Sequence, residues 1–365
     1  MPEQAESPGP RTLRVSSPGR VCLFGEHQDY LGLPVIPAAI SLRISIEGRH
    51  RDDRTVHIDL PDIGSEETFT LDEELRYRND RDYFRSGVNV MRRNGSAFSR
   101  GIECTLRGNI PINAGTSSSS ALSVSWVNFL ARMSDQAKRL TPEDCARFAV
   151  KAEVEEFREP GGMMDQYAAS YGGLLFIDFM PTAIVEPLPA RLGSIVLGDS
   201  LEGKDTKGIL ARVKGGVLEI VKKIQSKDSG FRLHSLKADE CDRWKSLLDS
   251  RDRDLLLATV RNHEMTRKAK AMLLQPRVDD REIGKLLTKH HVILHNVLKI
   301  STRKIDAMLD AAMGAGAYGG KINGSGGGGC MFAYAPGSPE KVAAAIERAG
   351  GKAYILAVDG GTRAD

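Results

Sequence analysis

Three short segments of this chain gather side chains able to do polar chemistry, each beside glycines or serines that let a ligand approach closely. In the first, residues 18–32, an apolar run containing Arg20 ends at Gly25 and delivers Glu26, His27 and Asp29 to one turn. Residues 14–24 have the apolar spacing of a strand, which would point these groups into a cleft; a polar hairpin tip is the other reading of the same residues. In the second, residues 108–122, a strand end feeds Asn113, Ala114, Gly115, Thr116 and the serines Ser117, Ser118, Ser119 and Ser120 into a helix starting near Ser118. Small side chains, hydroxyl donors and the free N–H groups of a helix N-terminus suit a polyphosphate. No Gly-Lys-Ser or Gly-Lys-Thr follows at the Walker spacing, and a flexible serine linker is disfavoured because the run abuts an apolar helix.

The third segment, residues 321–332, places Gly324, Ser325, Gly326, Gly327 and two further glycines between a helix and a strand. A dinucleotide fingerprint needs the opposite order, strand before helix, so the expectation is a tight turn against a phosphate or substrate, or a bare structural turn. Between the second and third segments, Asp165 follows Gly161 and Gly162 at a helix start, where an aspartate is ordinarily a cap. Glu153, twelve residues earlier, is by default a surface glutamate. His290, His291 and His295 offer two imidazoles at i and i+4, with no carboxylate joining them in a recognised metal pattern; they read as the flank of a buried apolar helix. Tyr83 and Phe84 are core residues by default and neighbours of an adenine at most.

The elements that must position these residues can be traced from periodicity. Strands are expected over 14–24, 35–46, 55–60 and 103–106, making the first hundred residues rich in sheet. Helical spacing covers 121–132 and 141–157, the latter opened by Thr141-Pro142-Glu143 and stopped at Gly161-Gly162, then 163–171, followed by a strand over 174–179. Residues 181–189, rich in proline, mark the expected boundary between a domain of residues 13–188 and one of residues 189–365, after a disordered start over 1–12. Beyond it helices are expected over 207–225, 235–248, 253–274, 282–298 and 302–312. A strand over 330–334, a helix over 339–349 and a strand over 353–358 follow.

Composition narrows the class. At 365 residues, 41% hydrophobic and 27% charged with a net charge of +3, the chain reads as a soluble two-domain protein. Its charges are dispersed and its aromatics only 6%, so no nucleic-acid partner is implied. No apolar run approaches the ~18 residues needed to span a bilayer, so no membrane is implied either. Cys22, Cys104, Cys145, Cys241 and Cys330 are odd in number and widely spaced, which indicates neither a disulfide framework nor a zinc site and fits a cytoplasmic location.

Taken in order, with the acid between the second and third, the three segments resemble the GHMP kinases, the family of galactokinase, homoserine kinase, mevalonate kinase and phosphomevalonate kinase. The first is most similar to the galactokinase pattern Gly-Arg-Val-Asn-Leu-Ile-Gly-Glu-His-Thr-Asp-Tyr, matched from Gly19 to Tyr30 except at Cys22, Phe24 and Gln28. The resemblance implies an α+β, two-domain architecture, an N-terminal ribosomal-protein-S5-like domain followed by a ferredoxin-like α/β-plait domain. It also implies ATP and Mg²⁺. Asp165 is then similar to the base that takes the acceptor's proton, Arg20 to the residue that tunes it and stabilises the transferring charge. Glu26, His27, Asp29 and Gly162 fall at sugar-binding positions, Asn113 to Ser119 at the ATP phosphate loop, and Ser119 with Glu153 at the metal. Residues 199–207 stand where galactokinase has Tyr-Asn-x-Arg-Arg and instead resemble mevalonate and heptose kinases, as does the third segment. Mevalonate kinases carry apolar residues where this chain has Asp29 and Tyr30. The expected activity is phosphorylation of a free sugar at its anomeric hydroxyl, galactose first, with heptose 7-phosphate, arabinose, glucuronate and fucose as alternatives. A catalytically silent sugar and ATP sensor is the alternative of another class. Residues 358–362, Val-Asp-Gly-Gly-Thr, echo a phosphate turn of actin-like sugar kinases, but their position near the chain end leaves no room for such a domain.

Overall fold

The computed structural model describes residues 12–203, 206–275 and 277–365. Residues 1–11 of the expected disordered start, and Lys204 and Asp205 of the turn likened to mevalonate and heptose kinases, lie outside them.

The first half is built from β1 (Leu13–Phe24), β2 (Ile36–His50), β3 (Thr55–Leu60), β4 (Ser65–Thr70), α1 (Tyr83–Arg93), β5 (Ile102–Gly108), α2 (Ser118–Met133), α3 (Pro142–Val150), α4 (Met164–Tyr171), β6 (Leu175–Asp178) and β7 (Ile184–Pro187). The second comprises β8 (Ile195–Asp199), α5 (Thr206–Gln225), α6 (Ser250–Leu273), α7 (Asp280–Asn296), α8 (Arg303–Gly314), β9 (Gly319–Ile322), β10 (Cys330–Tyr334), α9 (Pro339–Arg348), β11 (Lys352–Leu356) and β12 (Arg363–Ala364). The helix starts are chemically marked. Thr141 accepts from Asp144 N–H with Pro142 in the first turn, and Asp249 and Asp279 cap α6 and α7 in the same way.

A six-stranded sheet runs in the order β12-β1-β2-β5-β3-β4, with β3 and β5 parallel and the other neighbours antiparallel. Its inner face, including Val15, Ile46, Val56 and Ile58, packs with Trp126, Phe129 and Leu130 of α2 into one core. An antiparallel sheet, β11-β8-β10-β9, packs Val196 and Met331 against Met308 of α8 and Ile346 of α9. Between the sheets lies a shared core in which Phe24, Ile36 and Ile40 meet Leu197, Phe332, Leu273 and Leu287. The cleft is anchored on both sides by apolar packing, so its geometry is held by the largest stabilising term in the molecule.

Several elements differ from expectation. β4 and β9 carry no strong local period, β4 being polar and β9 a glycine pair followed by lysine and isoleucine, whereas α1, absent from the expected elements, is amphipathic with Arg85, Val88 and Met91 on its buried face. The third segment therefore lies between two strands rather than between a helix and a strand. Residues 235–248 form short 3-10 turns, Leu233–Ser235 and Ala238–Trp244, in place of an α-helix. The stretch 181–189 contains β7, which pairs with β6 as a hairpin. The histidines of α7 also acquire a carboxylate: His291 Nε2 lies 3.2 Å from Asp306 Oδ1 and His295 Nδ1 lies 3.0 Å from Asp306 Oδ2. Ile322 N–H points at His291 Nδ1 from 3.3 Å, which keeps the proton on Nε2, where it is donated to Asp306 instead of leaving a lone pair for a metal. His290 is fully buried, stacked 6.1 Å from Phe24.

Candidate active site

Arg20 sits near the end of β1 between two register shifts, at Pro18/Arg20 and Cys22/Phe24. Such irregularities bend a strand and re-aim its side chains. Gly19 permits the approach: a Cβ there would lie 2.7 Å from Thr116 O, and Arg20 N–H donates to that same oxygen. The buried Arg20 guanidinium then forms a fork on Asp165, Nε to Oδ1 at 2.7 Å and Nη2 to Oδ2 at 2.9 Å, and gives Nη1 to Gly115 O at 2.6 Å. Asp165 lies in the first turn of α4 and also accepts from Ser117 Oγ at 2.7 Å. It is therefore a member of a polar network, and the α4 start has no side-chain cap.

The turn after β1 bends through Gly25, at φ +85°, and His27, at φ +63°. His27 Nε2 donates to Ser325 O at 3.0 Å, so Nδ1 accepts from Tyr30 Oη at 2.6 Å; burial lowers the imidazole pKa and keeps the ring neutral. Asp29 accepts from Met164 N–H at 3.2 Å. Burial, then the neighbouring Asp165 charge, pushes the Asp29 carboxyl up to about 6. Gly162 lies directly against it, since a Cβ there would be 1.9 Å from Asp29 Oδ2. Glu26 Oε2 accepts from Lys321 Nζ at 2.8 Å and Gly324 N–H at 3.0 Å.

One cavity joins these groups. Arg20, Glu26, His27, Asp29, Gly162, Asp165, Gly324 and Ser325 line it together with Asn113, Gly115, Ser117, Ser118, Ser119 and Glu153. Four expected residues serve the frame instead. Ala114 O accepts from Cys330 N–H, Thr116 is buried with its carbonyl on Arg20 N–H, and Gly326 and Gly327 pack on Ile300, whose carbonyl takes Gly327 N–H. Tyr83 lines the cavity, whereas Phe84 packs edge-on against Trp126 in the core.

Glu153 is presented by a π-helical turn, Lys151–Glu155, that continues α3. Such turns displace a side chain from the regular helical face. It is a buried carboxylate that accepts from Ser120 Oγ at 3.1 Å and Gln166 Nε2 at 2.7 Å, and it is hydrogen-bonded to Ser119. Burial raises its pKa against these neutral donors, and among the described residues no lysine or arginine pairs with it. A hydroxyl beside a buried carboxylate, as in Ser119 and Glu153, is a hard-oxygen donor set that fits Mg²⁺. Sequence reasoning missed Tyr30, Gln166, Lys321 and Asn323. Asn323 takes Cys22 N–H on Oδ1 at 2.8 Å and gives Nδ2 to Gly115 O at 2.8 Å, tying all three segments together.

The fold and this arrangement define a class, and the comparisons agree. The chain belongs to the GHMP kinases: the GHMP kinases N terminal domain matches residues 82–173, the GHMP kinases C terminal domain residues 270–353, and the galactokinase galactose-binding signature residues 4–50. Within that class it is an ATP-dependent kinase whose acceptor is an alcohol. It is 28% identical to the mevalonate kinase of Thermococcus gammatolerans over 94% of this chain and 95% of the relative. It is equally 28% identical to the galactokinase of Pyrococcus furiosus, over 88% of each. The structure of Lactococcus lactis galactokinase complexed with galactose superposes with a TM-score of 0.85 at 22% identity, covering 97% of this chain and 95% of that one. The two-domain GHMP kinase fold is thus shared, while identity divides evenly between two acceptor chemistries.

Proposed function

We propose that this kinase transfers the γ-phosphoryl group of ATP to the anomeric hydroxyl of a neutral free sugar, galactose being the first candidate. The observation that carries the reading is the charge at the acceptor end of the cavity. Glu26, Asp29 and Asp165 meet there; Lys321 is spent on Glu26 and Arg20 on Asp165. Asp29 has no lysine or arginine within ion-pair distance among the described residues. Such a site offers acceptors to ring hydroxyls and repels a second carboxylate or phosphate.

Asp165 takes the proton of the attacking hydroxyl while Arg20 fixes its orientation and faces the charge in flight. The N-terminal turn of α2, with Ser118 and Ser119, cradles the phosphates. Ser119 and Glu153 would hold Mg²⁺, which supplies charge compensation at the phosphates. Phosphoryl transfer asks for positioning and charge compensation rather than covalent participation, which is the inventory present here. The free, buried cysteines suit a reducing, ATP-bearing cytoplasm.

Mevalonate, a carboxylate, is the second reading. The observation in its favour is the 28% identity to a mevalonate kinase over 94% of this chain. Release of ADP measured with galactose, arabinose, fucose, glucuronate, a heptose phosphate and mevalonate decides between them. Turnover of a neutral sugar is the expected result, and turnover of mevalonate alone overturns the sugar reading.

A further inference from the structure

We infer that Lys321, which opens the third segment but is not among the site residues expected from the sequence, is a positioning residue that sets Glu26 for the acceptor. The inference rests on the turn after β1 being the acceptor site. Lys321 lies in β9, in the second half of the chain, with 0% of its side chain exposed. A buried ammonium persists only when its donors are met. Here Nζ reaches Glu26 Oε2 at 2.8 Å and Cys22 O at 2.8 Å, and sits 5.1 Å from the centre of the Phe332 ring. Among the described residues, its polar partners belong to the first segment.

The consequence falls on Glu26. Its Oε2 takes two donors, Lys321 Nζ and Gly324 N–H, both from the third segment. Its backbone carbonyl is held by Asn262 Nδ2 at 2.9 Å. With the main chain and one carboxylate oxygen committed, Oε1 is left to face the cavity that Glu26 lines. A carboxylate fixed in this way accepts a hydroxyl without first paying to be ordered. Removing the ammonium leaves Oε2 with Gly324 N–H alone, loosens the carboxylate and strands a buried negative charge. Lys321 touches neither phosphate loop nor Asp165, so its loss acts on the acceptor and spares ATP.

The test compares the full-length wild type with Lys321→Met, Glu26→Gln and the double variant, measuring KM for ATP and for whichever alcohol the wild type phosphorylates. Lys321→Met is expected to raise acceptor KM by roughly tenfold while ATP KM stays within about twofold. A merely structural lysine would lower the active fraction and thermal stability and leave both KM values unmoved. If Lys321 acts through Glu26, the double variant is no worse than Glu26→Gln. That comparison stands even if Lys321→Met yields no soluble protein, because the double variant buries no unpaired charge. An unchanged acceptor KM in Lys321→Met, a parallel rise in both KM values, or a double variant more than about threefold worse than Glu26→Gln overturns the inference. A wild type that phosphorylates mevalonate and no sugar overturns the sugar reading and leaves these ratios equally decisive for Lys321.

Discussion

Arg20 and Asp165 meet through two parallel hydrogen bonds although 145 positions separate them in the chain. A guanidinium presents that fork in one plane and lysine cannot, so the pair sets both the place and the angle of the carboxylate. Asp165→Asn keeps the shape and removes the proposed base. Its kcat should fall by about 10² or more with ATP affinity retained, and near-wild-type turnover would remove Asp165 from the mechanism. Asp29 makes a separate prediction through pH. Its carboxyl holds a proton up to about 6, above the unfolded value near 3.9. If its ionised form accepts the sugar hydroxyls, kcat/KM rises as pH increases through about 6, and Asp29→Asn abolishes that limb. The stability sign is opposite: between about 4 and 6 the folded state binds more protons than the unfolded one, so this group's contribution falls as pH rises. Thermal unfolding of Asp29→Asn at pH 7 should therefore show a higher midpoint than wild type.

At the scale of elements, the site depends on departures from regular structure. The register shifts flanking Arg20, the π-helical turn around Glu153 and the positive φ of His27 and Ser117 each turn a functional group toward the cavity. The loop between that π-helical turn and α4 is a tight place, because the three atoms nearest a Cβ on Gly162 all belong to the Asp29 carboxylate, the first at 1.9 Å. Gly162→Ala should therefore displace Asp29 rather than the backbone. The expected result is an acceptor KM raised by roughly tenfold with an unfolding midpoint close to wild type, and an unchanged acceptor KM would remove Asp29 from acceptor binding.

The whole molecule closes on itself through its last residues. β12 pairs with β1, and Asp359, Gly360 and Gly361 are gripped by Arg43 of β2, which gives Nη1 to Asp359 Oδ2 at 2.8 Å and Nη2 to Gly361 O at 2.8 Å. Gly172 and Gly361 approach so closely that a Cβ on Gly172 would lie 1.8 Å from Gly361 N. The Val-Asp-Gly-Gly-Thr run near the end is thus a clasp from the second half onto the first-half sheet. Arg43→Met removes the clasp's charge-assisted hydrogen bonds and should cost about 3 kcal/mol, read as a lower urea midpoint, and Arg43→Lys should recover only part of it. Equal stability of wild type and Arg43→Met would show the clasp to be ornamental.

What could be read from the sequence was local. Thr141-Pro142 marks a helix start because a cap acts within one turn, whereas the Asp249 and Asp279 caps start α6 and α7 before the expected 253 and 282, and 3.6-residue spacing traced α6 and α7 because one face of each is buried. The three glycine and serine segments were legible for the same reason, since close backbone approach demands small residues at the point of contact. β4 and β9 escaped because sheet pairing, not propensity, makes them regular, while α1 carries a clear helical period and an Asp82 cap that the expected elements left out. The division of labour inside each segment escaped as well: which glycines face the cavity and which pack on Ile300, that Tyr30 fixes the His27 ring, and that Lys321 reaches back to Glu26. Those partners, the last 295 positions apart, become neighbours only when the shared core brings the two sheets together. The sequence alone therefore determined a phosphoryl-transfer inventory, and the tertiary structure decided which charges are spent on one another and which remain for the substrate.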